Sequence, residues 1–334
     1  MQFYQDWKLG ALHTLGKPSQ TRDMARGTSG FTSVSGDQIF SASAGLEGIA
    51  ALVIAAIGIY GALRIPIRSD AARKCLILFF ATIAVTFLNY ALGITTSAIY
   101  AWRYHPAAYA SDDPDRTTAV MAAGHRLEPV ARFFRRVASA LCAVMVVEVA
   151  GTISFIAAQK PLRPLRVAVY LSSGSASVLA LADCILAEQL VDVTDDSTSR
   201  LDDQFITSRT VAALSAVVLL MLILGAWLVL LTAIKAVMVA HKRHVLLKVA
   251  AITLAAAGGL VVVRMWAIAE VKLLLAPAQY STRDIAWFYI ADACIDRWST
   301  ALIILAVYFV GATKAGGLWT SGASSRKQGP TTPC

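Results

Sequence analysis

Asparagine is nearly missing from this chain. The 334 residues hold only Asn89, in no Asn-x-Ser/Thr acceptor, which excludes N-glycosylation. Proline is absent from the interiors of the long apolar runs, and broken helices of the transporter kind usually need such interruptions. Histidine is missing from those runs too: His13, His105, His125, His241 and His244 all fall between them, which removes the paired axial ligands of a di-haem membrane cytochrome. The five cysteines, Cys75, Cys142, Cys184, Cys294 and Cys334, form no CxxC and no loop pair, so neither a disulfide framework nor a zinc site is implied. Cys334 ends the chain and cannot head a prenylation box. The last apolar run lacks the lysine that a retinal protein needs. Charge is scarce as well, at 15% of residues, and unequal, with 30 Lys and Arg against 21 Asp and Glu.

Apolar length is what the chain has instead. Seven segments, at 46–63, 75–101, 137–158, 167–190, 210–234, 249–275 and 286–312, stand out in a sequence of mean hydropathy +0.62. Crossing a hydrocarbon core takes about 20 helical residues. The composition is that of a membrane protein, and the pattern predicts an all-α integral membrane protein, a seven-transmembrane helix bundle. Residues 1–45 are expected as a flexible lumenal segment, 46–312 as the transmembrane domain and 313–334 as a flexible cytoplasmic tail. Residues 1–30 carry six charges and no apolar core, so no cleavable leader is expected, and the first apolar segment would serve as a signal anchor.

The net charge of +9 does not imply nucleic acid, because the positive residues sit at the ends of the apolar runs. Four alternate regions carry most of them. These are Arg64, Arg68, Arg73 and Lys74; Lys160, Arg163 and Arg166; Lys235, Lys242, Arg243 and Lys248; and Lys314, Arg326 and Lys327. Only Asp70 opposes them, so the positive-inside rule makes this side cytoplasmic and the N-terminus lumenal. Loop 191–209 is acidic. Arg132, Arg135 and Arg136, at the mouth of the third run, are a local exception to the rule. Segment 119–136 mixes apolar and basic residues and reads as an interfacial helix.

Charges inside the runs are the functional signal, because burying them in lipid is expensive. The acids are Glu148, Asp183, Glu270, Asp292 and Asp296, and the bases Arg264 and Arg297. With Asn89 they fall from the middle to the lumenal side, which predicts a cavity closed toward the cytoplasm; helix rotation, and with it whether all the acids share that cavity, is not fixed by sequence. Five acids against two arginines leave some carboxyls without a basic partner. Desolvation disfavours the ionised form, so such a carboxyl stays protonated and can act as a general acid. Asp292 and Asp296, four apart, share a helix face, whereas Arg264 and Glu270, six apart, do not. Arg264 is therefore assigned to Glu148 or to an acid of the seventh helix. Trp266 and Trp298 lie beside Arg264 and Arg297, where aromatic faces can hold a cation. The competing account of each charge is a structural hydrogen bond that fixes helix packing, and of each tryptophan, core packing. No metal-binding set stands out. Asp112-Asp113-Pro114-Asp115-Arg116 has Arg where a magnesium box would end on an acid.

The size, seven-span layout, short tails and lumen-facing buried acids resemble the small membrane-bound terpene cyclases of fungal meroterpenoid pathways, of the ascofuranone type. The resemblance implies an isomerase- or lyase-type enzyme of secondary metabolism in the endoplasmic reticulum. It would act without a cofactor on a lipophilic prenylated substrate that enters from the bilayer, with no obligate protein partner. A protonated carboxyl would open a terminal epoxide or protonate an alkene. Acid and base would come from Glu148, Asp183, Glu270, Asp292 and Asp296. Asn89, Arg264, Trp266, Arg297 and Trp298 would line the substrate site. The alternative is a seven-span receptor or sensor for a lipophilic ligand, although the chain lacks an acidic-Arg-aromatic switch after the third span and Asn-Pro-x-x-Tyr in the seventh. A small transporter, with the acids as a proton relay, is the third reading.

Overall fold

The computed structural model describes residues 36–64, 72–104, 114–158, 163–195, 201–244, 246–275 and 282–312. All regular structure among them is helical: α1 (Gly36–Arg64), α2 (Ala72–Tyr104), α3 (Pro114–Ala158), α4 (Arg163–Asp195), α5 (Leu201–Arg243), α6 (Leu247–Leu275), α7 (Thr282–Asp292), a π turn (Ala293–Arg297) and α8 (Trp298–Ala312). Seven helical spans are long and apolar enough to cross a membrane, the seventh being Trp287–Ala312, built from α7, the π turn and α8. The chain has the architecture of a multi-pass membrane protein. Its outer surface agrees, for Leu52, Leu63, Leu171 and Val178 are each at least two-thirds exposed. In water such a belt would be an aggregation hazard; against acyl chains it costs nothing.

The helices outrun the apolar segments that predict them. α1 begins ten residues before position 46, inside the segment expected to be flexible, while 1–35 and 313–334 lie outside the described residues. Most of the acidic loop 191–209 is helix, because α4 runs to Asp195 and α5 starts at Leu201. Lys235 and Arg166, expected in loops, lie within α5 and α4. Segment 119–136 is no separate interfacial helix but the first part of α3, which continues through Pro129 to Ala158. Proline there removes one amide donor, a local loss that the rest of a 45-residue helix tolerates. At about 1.5 Å per residue α3 and α5 are each roughly 65 Å long, twice the hydrocarbon thickness.

α3 is the centre of the bundle. It packs on α2, α4, α5, α6 and α8, and 67% of its most apolar stretch is buried, against 50% or less in every other span. Alanines at its neighbours' contact faces, such as Ala226, Ala233 and Ala236 of α5 and Ala256 and Ala257 of α6, let the backbones approach closely. The largest apolar core gathers around Ile54, Phe79, Tyr90, Ile153 and Ile304.

The exterior supplies a direct test. Val178 is 69% exposed near the middle of α4. Val178→Arg would be harmless on a water-facing surface, but at a bilayer centre it costs about 2.5–3.5 kcal/mol of insertion free energy. Insertion of the fourth span, scored by a glycosylation reporter in microsomes, is expected to fall; unchanged insertion would mean that this face does not meet lipid.

Candidate functional site

The polar interior is divided into three groups. The largest lies at the end of the bundle where α3 starts and α6 finishes. Glu128, Arg132, Arg135, Arg136 and Ser139 recur at helical spacing on α3, and a helix presents such residues on one face. Arg135 forms ion pairs with Asp292 at Oδ2 and, at 3.4 Å, with Asp296. Trp266 donates its indole N–H to Asp292 Oδ1 at 3.3 Å and stacks on Phe288 at 5.5 Å. Arg136 pairs with Asp183 and donates to Ser215 at 2.9 Å, and the Ser215 hydroxyl donates to Asp183 at 2.8 Å, closing a three-membered ring. Arg132 bonds Glu128 at 3.1 Å, and Tyr100 donates to the same carboxylate at 3.0 Å. Arg264, only 4% exposed, donates to the Ser139 hydroxyl.

These groups enclose a cavity lined by the four arginines, Asp292, Asp296 and Trp266, with Leu219, Leu222, Val263 and Ala267 as its apolar wall. Water centres fit over about 30 Å³ of it, room for a water or two. Four arginines, Arg132, Arg135, Arg136 and Arg264, stand with four carboxyl groups, those of Glu128, Asp183, Asp292 and Asp296. A buried ion pair gains specificity of arrangement more than stability, but losing one partner leaves a charge stranded.

The second group joins α1, α2 and the π turn. Glu47 and Arg297, each 3% exposed, approach at 3.3 Å. Tyr90 donates its hydroxyl to the Arg297 carbonyl at 2.5 Å, and the guanidinium lies 5.5 Å from the Tyr90 ring centre. A side chain at Gly93 would collide with the Glu47 carboxylate and come within 3.2 Å of Arg297 Nη2, so glycine is what admits the pair to the face of α2. The third group is Glu148, held by Arg166 through Nε at 2.8 Å and Nη2 at 2.5 Å, with the Tyr170 hydroxyl donating at 2.6 Å.

The polar residues on which the sequence converges are thus divided. Asp292, Asp296, Arg264 and Trp266 meet at the cavity, and Asp183 borders it through Arg136. Glu148 does not: it lies nine residues beyond Ser139 on α3, about 13 Å along the axis, and its partner is Arg166 rather than Arg264. Arg297 belongs to the second group, and Asn89 is buried one turn from Gly93 on α2. Trp298 is packed against the apolar core, and the side chain of Glu270 lies outside the described residues. Among the described acids the surplus also disappears. Glu148, Asp183, Asp292 and Asp296 each face an arginine, because Arg135, Arg136 and Arg166 enter the bundle although the apolar runs exclude them. Glu47 was overlooked at the very start of the first run. The arginines had a legible signal, their three- and four-residue spacing in line with Ser139, had the third helix been extended backwards past its apolar run.

Among the described residues no group of three His, Cys, Asp or Glu side chains is placed to hold a metal ion. Neither a family model, nor a curated protein, nor a solved structure matches the chain.

The Arg136–Asp183 pair can be tested by a double-mutant cycle. Arg136→Met and Asp183→Leu should each cost about 3–5 kcal/mol by stranding the other charge. The double variant should cost clearly less than the sum, measured as unfolding midpoints of the purified protein in detergent. Additive losses would show that the two side chains do not interact.

Proposed function

We propose that the chain is a membrane-bound terpene cyclase acting on a prenylated, meroterpenoid-type substrate, with Asp292 and Asp296 as its acid and base. The observation that supports this reading is the pairing of two buried carboxyls, beside one guanidinium and one indole, at the edge of an internal cavity. Asp292 takes the closer contact with Arg135 and the Trp266 N–H, so its charge is well compensated. Asp296 is held more loosely, at 3.4 Å, and is the proton donor in this reading.

The reaction is an isomerisation. Asp296 gives its proton to a terminal epoxide oxygen, the C–O bond breaks, and the chain's alkenes attack in turn to form new C–C bonds. The last cation loses a proton to a carboxylate, so nothing is added or removed overall. Trp266, which lines the cavity and is backed by Phe288, offers an aromatic ring to the passing cations. A drug-sized ligand needs some 300–1,000 Å³, so the substrate must part the apolar wall, where Leu219 and Leu222 of α5 face Val263 and Ala267 of α6. The wider setting belongs to the same proposal: a fungal secondary-metabolite enzyme of the endoplasmic reticulum, N-terminus and cavity lumenal, C-terminus cytoplasmic.

A receptor or sensor is the second reading, and one observation favours it. The cavity is closed to the size of water by balanced ion pairs, which suits a network that a ligand must break to switch the bundle.

The test uses microsomes carrying the protein, incubated with farnesylated phenols and their terminal epoxides. A product of unchanged mass and new retention time is expected. General acid catalysis contributes about 10²–10⁴-fold, so Asp296→Asn should lose activity on that scale, while Glu148→Gln, which lies outside the cavity, should keep it. Activity lost in Glu148→Gln but not in Asp296→Asn would overturn the assignment. No turnover by inserted protein, together with function that depends on the basic loops, would favour the receptor.

A further inference from the structure

The second polar group contains donors and acceptors that do not satisfy one another. Glu47, Thr86, Asn89 and Arg297 are each 3% exposed or less. Glu47 Oε2, Thr86 Oγ1, Asn89 Oδ1 and Arg297 Nε and Nη1 are buried without a hydrogen-bond partner among the described residues. Arg297 Nε stands 3.3 Å from Glu47 Oε1, but out of line for a hydrogen bond. A buried donor or acceptor left unpaired is costly, and more so when it is charged. Several together, on four residues, make a strong demand for a bridging group.

Their arrangement defines what would bridge them. Thr86, Asn89 and Gly93 lie within one arc of α2 at three- and four-residue spacing. Gly93 brings Glu47 and Arg297 onto that arc. The guanidinium contributes donors, while the carboxylate and amide oxygens contribute acceptors. The group is electrically neutral as a pair, so neither a cation nor an anion is called for. Water both donates and accepts, and buried water typically makes about three bonds to groups of this kind. We propose that ordered water is bound between α1, α2 and the π turn, accepting from Arg297 and donating to Glu47 Oε2 and Asn89 Oδ1. This site is separate from the arginine-lined cavity and does not depend on the activity proposed for it.

Hydroxyl-radical footprinting by X-ray pulses reads such water directly, because radicals made from a bound water attack the nearest side chain. Tyr90 and Phe79 are both aromatic, both on α2 and both fully buried, but only Tyr90 lies beside Arg297. Protein in nanodiscs and ¹⁸O-labelled water would be irradiated and the modified peptides quantified by mass spectrometry. Tyr90 is expected to take up label several-fold faster than Phe79, and Asn89→Leu, which removes an acceptor and fills the space, should bring it down toward Phe79. Equal labelling of Tyr90 and Phe79 in the unaltered protein would overturn the proposal. So would undiminished Tyr90 labelling in a folded Asn89→Leu variant.

Discussion

Every charge inside an apolar bundle must find its partner inside the bundle. Lipid offers none, and the desolvation of an isolated ion is several kcal/mol even after relaxation. The arginine face of α3 meets that constraint. Arg135 reaches the seventh span and Arg136 the fourth, while Ser139, one turn deeper, receives Arg264 from the sixth. The most buried helix thus carries Arg132, Arg135 and Arg136 together with Glu128, Ser139 and Glu148, and its neighbours supply the group of opposite character to most of them. These pairs set the rotation of each helix about its axis, which apolar contacts alone leave loosely determined.

The π turn adds a second constraint. Wide turns of this kind are rare and concentrate at functional sites. Here the amide of Trp298 returns to the carbonyl of Ala293, five residues back. Within the turn sit Asp296, which faces Arg135, and Arg297, which faces Glu47. Two consecutive residues therefore serve two different polar groups, and the local widening separates them.

Hydropathy alone revealed the seven spans, because a run of twenty apolar residues has few other uses. It placed Asp292, Asp296, Arg264 and Trp266 within one region of the fold, and those four do meet. It misjudged partnership for a physical reason. Arg135, Arg136 and Arg166 lie at the edges of apolar runs, where snorkelling and the headgroup region are the usual explanation, yet their long side chains reach inward along continuous helices. Glu148 shares the third span with Arg135 and Arg136, but it stands nine residues beyond Ser139, both deeper and on the other side of the helix, where Arg166 meets it. The π turn had no sequence signal, since α-helical spacing already put Asp292 and Asp296 on one side.

Gly93 has no side chain, and in that gap Glu47 of the first span and Arg297 of the seventh meet the second. Because Arg297 is tied to the first span and its neighbour Asp296 to the third, the seventh span is held on two sides. It cannot turn about its own axis to improve one contact without pulling on the other. The helix that closes the bundle is thereby a torsion bar, and any event that loosens one grip is felt at the other.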